Sequence, residues 1–168
     1  MKKAVLVITL LSICIVTATR AYADSKGAKL TKAEIVNIGT TYEGILKAKN
    51  ELYRFLGGQP LGEYNADGFD TLAGESELIK KYNKYLILSQ FINAAGPFAS
   101  EMFNAEQKEA YREAIDVLKQ EGVMDKMDAI IKAQDELNSK IDAISERGVS
   151  ISSSEEVYRS YLKLKTGE

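Results

Sequence analysis

The sequence predicts an all-α fold: an antiparallel bundle of four to five helices behind a cleaved signal peptide. Three observations predict it. Apolar residues recur at three- and four-residue spacing through most of the chain. Pairs of the Thr/Ser/Asn-x-x-Glu/Gln type stand where those periodic runs begin, as capping boxes do. No stretch alternates apolar and polar residues convincingly as a half-buried strand would, and no hairpin turn pair joins two such stretches.

The leader comes first. Met1-Lys2-Lys3 is a positive start, Ala4 to Val16 an apolar run, and Ala21-Tyr22-Ala23 the small-x-small pattern that signal peptidase reads. Cleavage is expected after Ala23, leaving 24–168 as one helical-bundle domain. The apolar run is too short, and ends too polar at Thr17, Thr19 and Arg20, to be a spanning helix. Leu11-Ser12-Ile13-Cys14 resembles a lipobox, but Ile13 stands where that motif needs Gly, Ala or Ser. Cys14 is therefore read as an ordinary apolar residue of the leader. Export sends the chain to the periplasm or outside the cell, where a protein without further Cys must be held by packing alone.

The elements follow in order. Thr31 and Glu34 cap a first helix whose stripe is Ile35, Ile38, Tyr42, Ile45, Leu52 and Leu56, interrupted by Lys49. Gly57-Gly58, then Pro60, end it. After a Gly-rich loop a second helix starts near Ser76, with Leu78, Ile79, Tyr82, Tyr85 and Leu86 on its apolar side. Asn104 and Gln107 open a third, with Tyr111, Ala114, Ile115 and Leu118 inward, stopping at Gly122. Asp125 is expected to cap a fourth, where Met127, Ile130, Gln134, Leu137, Ile141 and Ile144 follow heptad spacing. That pattern makes residues 125–147 a candidate for self-association, with Gln134 setting register. Residues 149–154 form a polar linker, and Ser152 with Glu155 caps a last helix bearing Val157, Tyr158, Tyr161 and Leu162.

Composition excludes several functions. Without Lys2, Lys3 and Arg20 the chain carries 19 basic against 24 acidic residues. That balance leaves no surplus to neutralise phosphates, so no nucleic acid is expected as partner. The chain has no His, and its one Cys lies in the leader. Hydrolase triads, cysteine nucleophiles, zinc sites and His-containing di-iron helices are thereby removed. No cofactor is expected, and no enzyme. Glu106, Glu109, Glu113 and Asp116 recur helically and read as a solvated face.

Two short stretches invite a sharper reading. The loop from Glu63 to Glu75 resembles an EF-hand calcium loop, with oxygen-bearing Glu63, Asn65, Asp67 and Thr71 at alternating positions and Gly68 sixth. The twelfth position is Gly74 rather than Glu, with Glu75 one residue late, and Asp70 stands where an aliphatic residue belongs. The plainer reading is an Asx-rich turn. Glu75-Ser76 resembles the Glu-Ser pair at a helix start in lytic transglycosylases, which implies Glu75 as a general acid. That resemblance spans two residues and lacks the family's downstream Gly-Leu-Met-Gln segment, so Glu75 is expected to be a first-turn carboxylate.

The run YLILSQFINAAGPFAS, Tyr85 to Ser100, holds no charged residue. Three uses compete: a central core helix, a partner groove, or a membrane-active segment. Spanning a bilayer takes about 20 apolar residues, and Gly96-Pro97 would bend or end the helix. The core reading is expected for Tyr85 to Ala95. The hinge Gly96-Pro97 and the apolar Phe98, Met102 and Phe103 are candidates for partner contact, as are Tyr158 and Tyr161. A pocket for a small hydrophobic ligand would draw on Phe91, Phe98 and Phe103. The function expected from the sequence is that of a non-catalytic protein that binds another protein, as an inhibitor, an immunity factor or an adaptor of an envelope secretion or conjugation apparatus. Membrane action or ligand carriage is its alternative.

Overall fold

The computed structural model describes residues 29–62, 65–98 and 102–167, with Pro97 described in its backbone alone. The expectations on the leader, on Cys14 and on Glu63 lie outside the described residues. Within them the fold is helical, with five helices, a short 3-10 turn and one two-stranded ribbon.

Helix α1 runs Lys32–Leu56. Thr31 Oγ1 accepts from the Glu34 amide while the Glu34 carboxylate accepts from the Thr31 amide, the reciprocal cap the sequence predicts. Gly57 ends α1 at φ 76°, a left-handed turn that L side chains disfavour. Strands β1, Gln59–Pro60, and β2, Leu72–Ala73, then pair antiparallel, Gln59 opposite Ala73 and Pro60 opposite Leu72. This ribbon is the one element that the sequence pattern does not announce, and the fold remains all-α beside it. Two-residue strands leave no alternation to read, and the pairing is held from elsewhere. The Asn83 side chain donates to Leu72 O and accepts from Leu72 N, both at 2.8 Å.

Helix α2, Glu77–Ala95, starts from Ser76, whose hydroxyl accepts from the Ile79 amide. A 3-10 turn follows at Gly96–Phe98. Helix α3, Ala105–Gln120, opens on the expected Asn104/Gln107 box. Helix α4, Val123–Ser145, follows after Gly122, which turns the chain at φ 70°. Asp125 thus lies in the first turn of α4 and is not its cap. Val123, completely buried, draws the helix start forward into the core. Helix α5, Ser154–Thr166, is capped by Ser153, one residue later than expected. Ser152/Glu155 and Ser153/Glu156 offer the same pattern in two registers. Ser153 takes the cap by accepting from the Glu156 amide, while Ser152 Oγ donates to the Glu156 carboxylate.

One apolar cluster draws on all five helices. Helix α1 packs chiefly on α5 and α4, α2 on α3, and α3 on α4. Ile38, Tyr42, Ile45, Leu52 and Leu56 of α1 meet Met127, Ile130 and Leu137 of α4 and Val157 of α5. Helix α2 contributes only Ile79, Tyr82 and Leu86 to the buried set. Its C-terminal half turns outward, which corrects the expectation that Tyr85 to Ala95 is the buried end of a central helix. Its chief helical neighbour is α3, and one neighbour covers one side.

Candidate interaction surface and the loop on Lys49

Lys49 breaks the apolar stripe of α1 and is fully buried there. Its ammonium donates to Asn65 O at 2.7 Å and Asp67 O at 3.4 Å, and pairs with Asp70 Oδ2 at 3.0 Å. A buried ammonium is tolerated only with such partners. Tyr53 extends the set: its hydroxyl donates to Asp70 Oδ2 at 2.6 Å and accepts from the Asp70 amide. Burial, and then that carboxylate, hold the Tyr53 phenol above its ordinary ionisation range. Gln134 of α4 donates to Ala66 O, and Tyr42 Oη accepts from the Ala66 amide. The loop is thus tied to α1 by three side chains and to α4 by a fourth.

This places the calcium candidates. Asn65 Oδ1 accepts from the Asp67 amide at 2.9 Å, closing an Asx turn. The two carbonyls and the carboxylate of this loop converge on a lysine ammonium. Among the described residues no group of three or more acidic, His or Cys side chains is placed to hold a metal ion. Thr71 is half-buried and its carbonyl accepts from Leu61 N, while Glu75 is exposed just ahead of α2. Glu75 therefore does not have the buried setting that a carboxyl general acid requires.

The C-terminal tyrosines are occupied within the chain. Tyr158 stacks on Tyr42 with ring centroids 4.6 Å apart, and Tyr161 lies 5.9 Å from Tyr158. Tyr161 sits over Gly39, where a Cβ would come within 2.2 Å of its ring. Its hydroxyl donates to Glu43, which also receives Lys165 of α5 and Lys47 of α1. Those bonds hold the Glu43 carboxyl down at about 2. The heptad residues of α4 are likewise turned inward, with Met127, Ile130, Leu137 and Ile144 buried and Gln134 engaged by the loop.

The end of the α2–α3 hairpin is different. Ile87, Phe91, Phe98 and Met102 are 58%, 39%, 64% and 56% exposed. Ile87 and Phe91 are four residues apart on one helix face, which Ala94 continues. Gly96 follows at φ 54° and ψ −130°, a conformation suited to glycine that carries the chain into Pro97 and Phe98. Phe103 is buried beneath, its ring edge-on to Phe91 at 5.2 Å. Deeper in the hairpin, Tyr85 and Tyr111 stack in parallel at 5.6 Å and fix α2 on α3. Of the sequence candidates, Phe98 and Met102 are thus exposed, while Phe103 is buried with its ring against Phe91.

Ile87 belongs to the surface although the sequence marked only the later residues. Its place on the outer face depends on which side α3 covers, and spacing does not carry that information. Of the three phenylalanines, Phe103 is buried against Phe91 and Phe98 is exposed. A small cleft lies elsewhere, between Leu30, Ile151, Val157 and Ser160. No helix among the described residues is long and apolar enough to cross a membrane. No known protein family, curated protein or solved structure matches the chain.

Proposed function

We propose that this chain is an exported, non-catalytic protein, folded as an antiparallel helical bundle, that works by protein–protein contact through the end of the α2–α3 hairpin. Cleavage after Ala23 would deliver it to the periplasm or beyond, as an inhibitor, an immunity factor or an adaptor of an envelope secretion or conjugation apparatus. The single observation that carries the reading is the exposure of Ile87, Phe91, Phe98 and Met102 along the later part of α2 and the stretch that leads to α3. Large apolar side chains grouped on a surface mark sites that another surface covers. The absence of His from the sequence, and of Cys after residue 14, supports the non-catalytic side.

Crosslinking in the cell tests it. A photoreactive phenylalanine analogue at position 98 is expected to give a protein adduct on irradiation, and the same analogue at Tyr161 is not. Adducts at 161 with none at 98 would move the surface to α5 and reject the hairpin end. N-terminal sequencing of the isolated protein checks export, with Asp24 expected as the first residue and Met1 as the contrary result.

A further inference from the structure

The loop over Lys49 meets its helices through its backbone. Successive carbonyls from Asn65 to Gly68 each accept from a side chain on a helix. Those of Asn65 and Asp67 take the Lys49 ammonium of α1, and those of Ala66 and Gly68 take the Gln134 amide of α4. Asp70 completes the side that faces α1: its Oδ2 lies 3.0 Å from Lys49 Nζ and accepts from the Tyr53 hydroxyl. Lys49 is fully buried, so a cation is held inside the protein by the oxygens of a separate segment. A primary ammonium carries three N–H groups, and the loop oxygens stand at 2.7, 3.4 and 3.0 Å from it. Those lengths suit N–H donation and exceed the roughly 2.3–2.6 Å of a calcium–oxygen bond. The remaining oxygen-bearing side chains turn away: Asn65 Oδ1 accepts from the Asp67 amide, and Asp67 is exposed.

We propose that this loop is a receptor for a primary alkylammonium group, with Lys49 as its tethered ligand. Recognition combines charge with N–H donation. Two carbonyls and one carboxylate define the place of the nitrogen, and the fully buried Ile45 and Leu52, one turn to either side of Lys49 on α1, belong to the apolar stripe that takes the alkyl stem. A small amine carrying the missing atoms takes the place of the lysine side chain when that side chain is cut back. The loop then closes on a ligand from solution instead of on its own chain. This site is independent of the exposed surface on α2.

Chemical rescue tests it. Lys49→Ala removes the atoms of n-propylammonium. In that variant, added n-propylammonium should protect the Ala66 and Asp70 amides from hydrogen exchange, since both donate to tyrosine hydroxyls of α1 in the closed loop. It should also shift the unfolding equilibrium toward the folded state about tenfold at about ten times its Kd, as one-site linkage requires. The wild type should show neither effect. Tetramethylammonium has the charge without an N–H, and n-propanol the stem without the charge; neither should protect the loop at equal concentration. Equal protection by tetramethylammonium, potassium chloride or calcium chloride would overturn the proposal, as would a folded variant that ignores propylammonium. If Lys49→Ala stays unfolded with every additive, Lys49→Cys in a Cys14→Ser background decides. Alkylated while unfolded and then refolded, its S-aminoethyl form should regain protection at Ala66 and Asp70, and its S-ethyl and S-trimethylammonioethyl forms should not. Equal protection in all three forms, or in none, overturns the site.

Discussion

Lys49 shows how one side chain fixes a loop. Its stem lies in the apolar stripe of α1, and its head holds Asn65, Asp67 and Asp70, residues 16 to 21 positions further on. Lys49→Met keeps the apolar stem and removes the ammonium that pairs with Asp70. Breaking a buried pair from one side costs about 3 kcal/mol or more, to be read from urea denaturation midpoints. Adding Asp70→Asn should recover part of that loss; a fully additive double variant would contradict the pairing. Tyr53 and Tyr82 make a second comparison. The Tyr53 hydroxyl both donates to and accepts from Asp70, so Tyr53→Phe should cost about 1–3 kcal/mol. The Tyr82 hydroxyl is buried, and among the described residues it makes no hydrogen bond of normal geometry, with the Tyr53 side chain its neighbour. Tyr82→Phe should therefore be neutral or stabilising in the same denaturation series. Lys49 as an interruption of the stripe was legible in the sequence. Its partner was not, because a contact between a helix and a loop this far along the chain leaves no local spacing to read.

At the scale of elements, α1 and α5 meet through a notch. Gly39 gives the Tyr161 ring room that a methyl group would fill, and Glu43 collects Tyr161 and Lys165 one turn further along. Gly39→Ala should push α5 off α1, at about 1–3 kcal/mol for an overpacked contact. Limited proteolysis within 149–154 should then speed up, and Tyr161→Ala added to Gly39→Ala should slow it again. Equal cleavage in the wild type and Gly39→Ala would contradict the notch. The starts of α1, α2 and α3 were legible because a cap is local chemistry: the acceptor and its amide are three residues apart. The start of α5 slipped by one because adjacent serines offer equivalent caps. The β ribbon was invisible because Asn83, on another element, holds its second strand. The outward face of α2 was misread for a related reason. An uncharged helix is buried or exposed according to how many neighbours cover it, and periodicity counts residues rather than neighbours.

For the whole molecule, acid should loosen the links between distant parts of the chain. Glu34 is held down at about 2, first by Arg147 and then by its cap at Thr31, and Glu43 at about 2, first by Lys165 and Tyr161. Both ionise at 4.5 in the ordinary state, so each folded value is depressed. Their contribution is complete above pH 4.5 and is lost as pH falls from there toward about 2. Thermal midpoints should fall through that window, and Glu34→Gln with Glu43→Gln should flatten the fall. Both carboxylates are near solvent, so added salt should shrink the effect; a pH profile unchanged by the double variant would contradict it. The overall helical class was legible in composition and spacing, and so was the neighbourhood of the candidate surface. The direction in which that surface faces comes only from the assembled core. Methionine oxidation reads that direction at once, since Met102 is 56% exposed at the hairpin end and Met127 2% exposed inside. In dilute protein under mild peroxide, Met102 should convert to the sulfoxide quickly while Met127 resists. Met102 as resistant as Met127 at every dilution would place the hairpin end in the core and contradict the account.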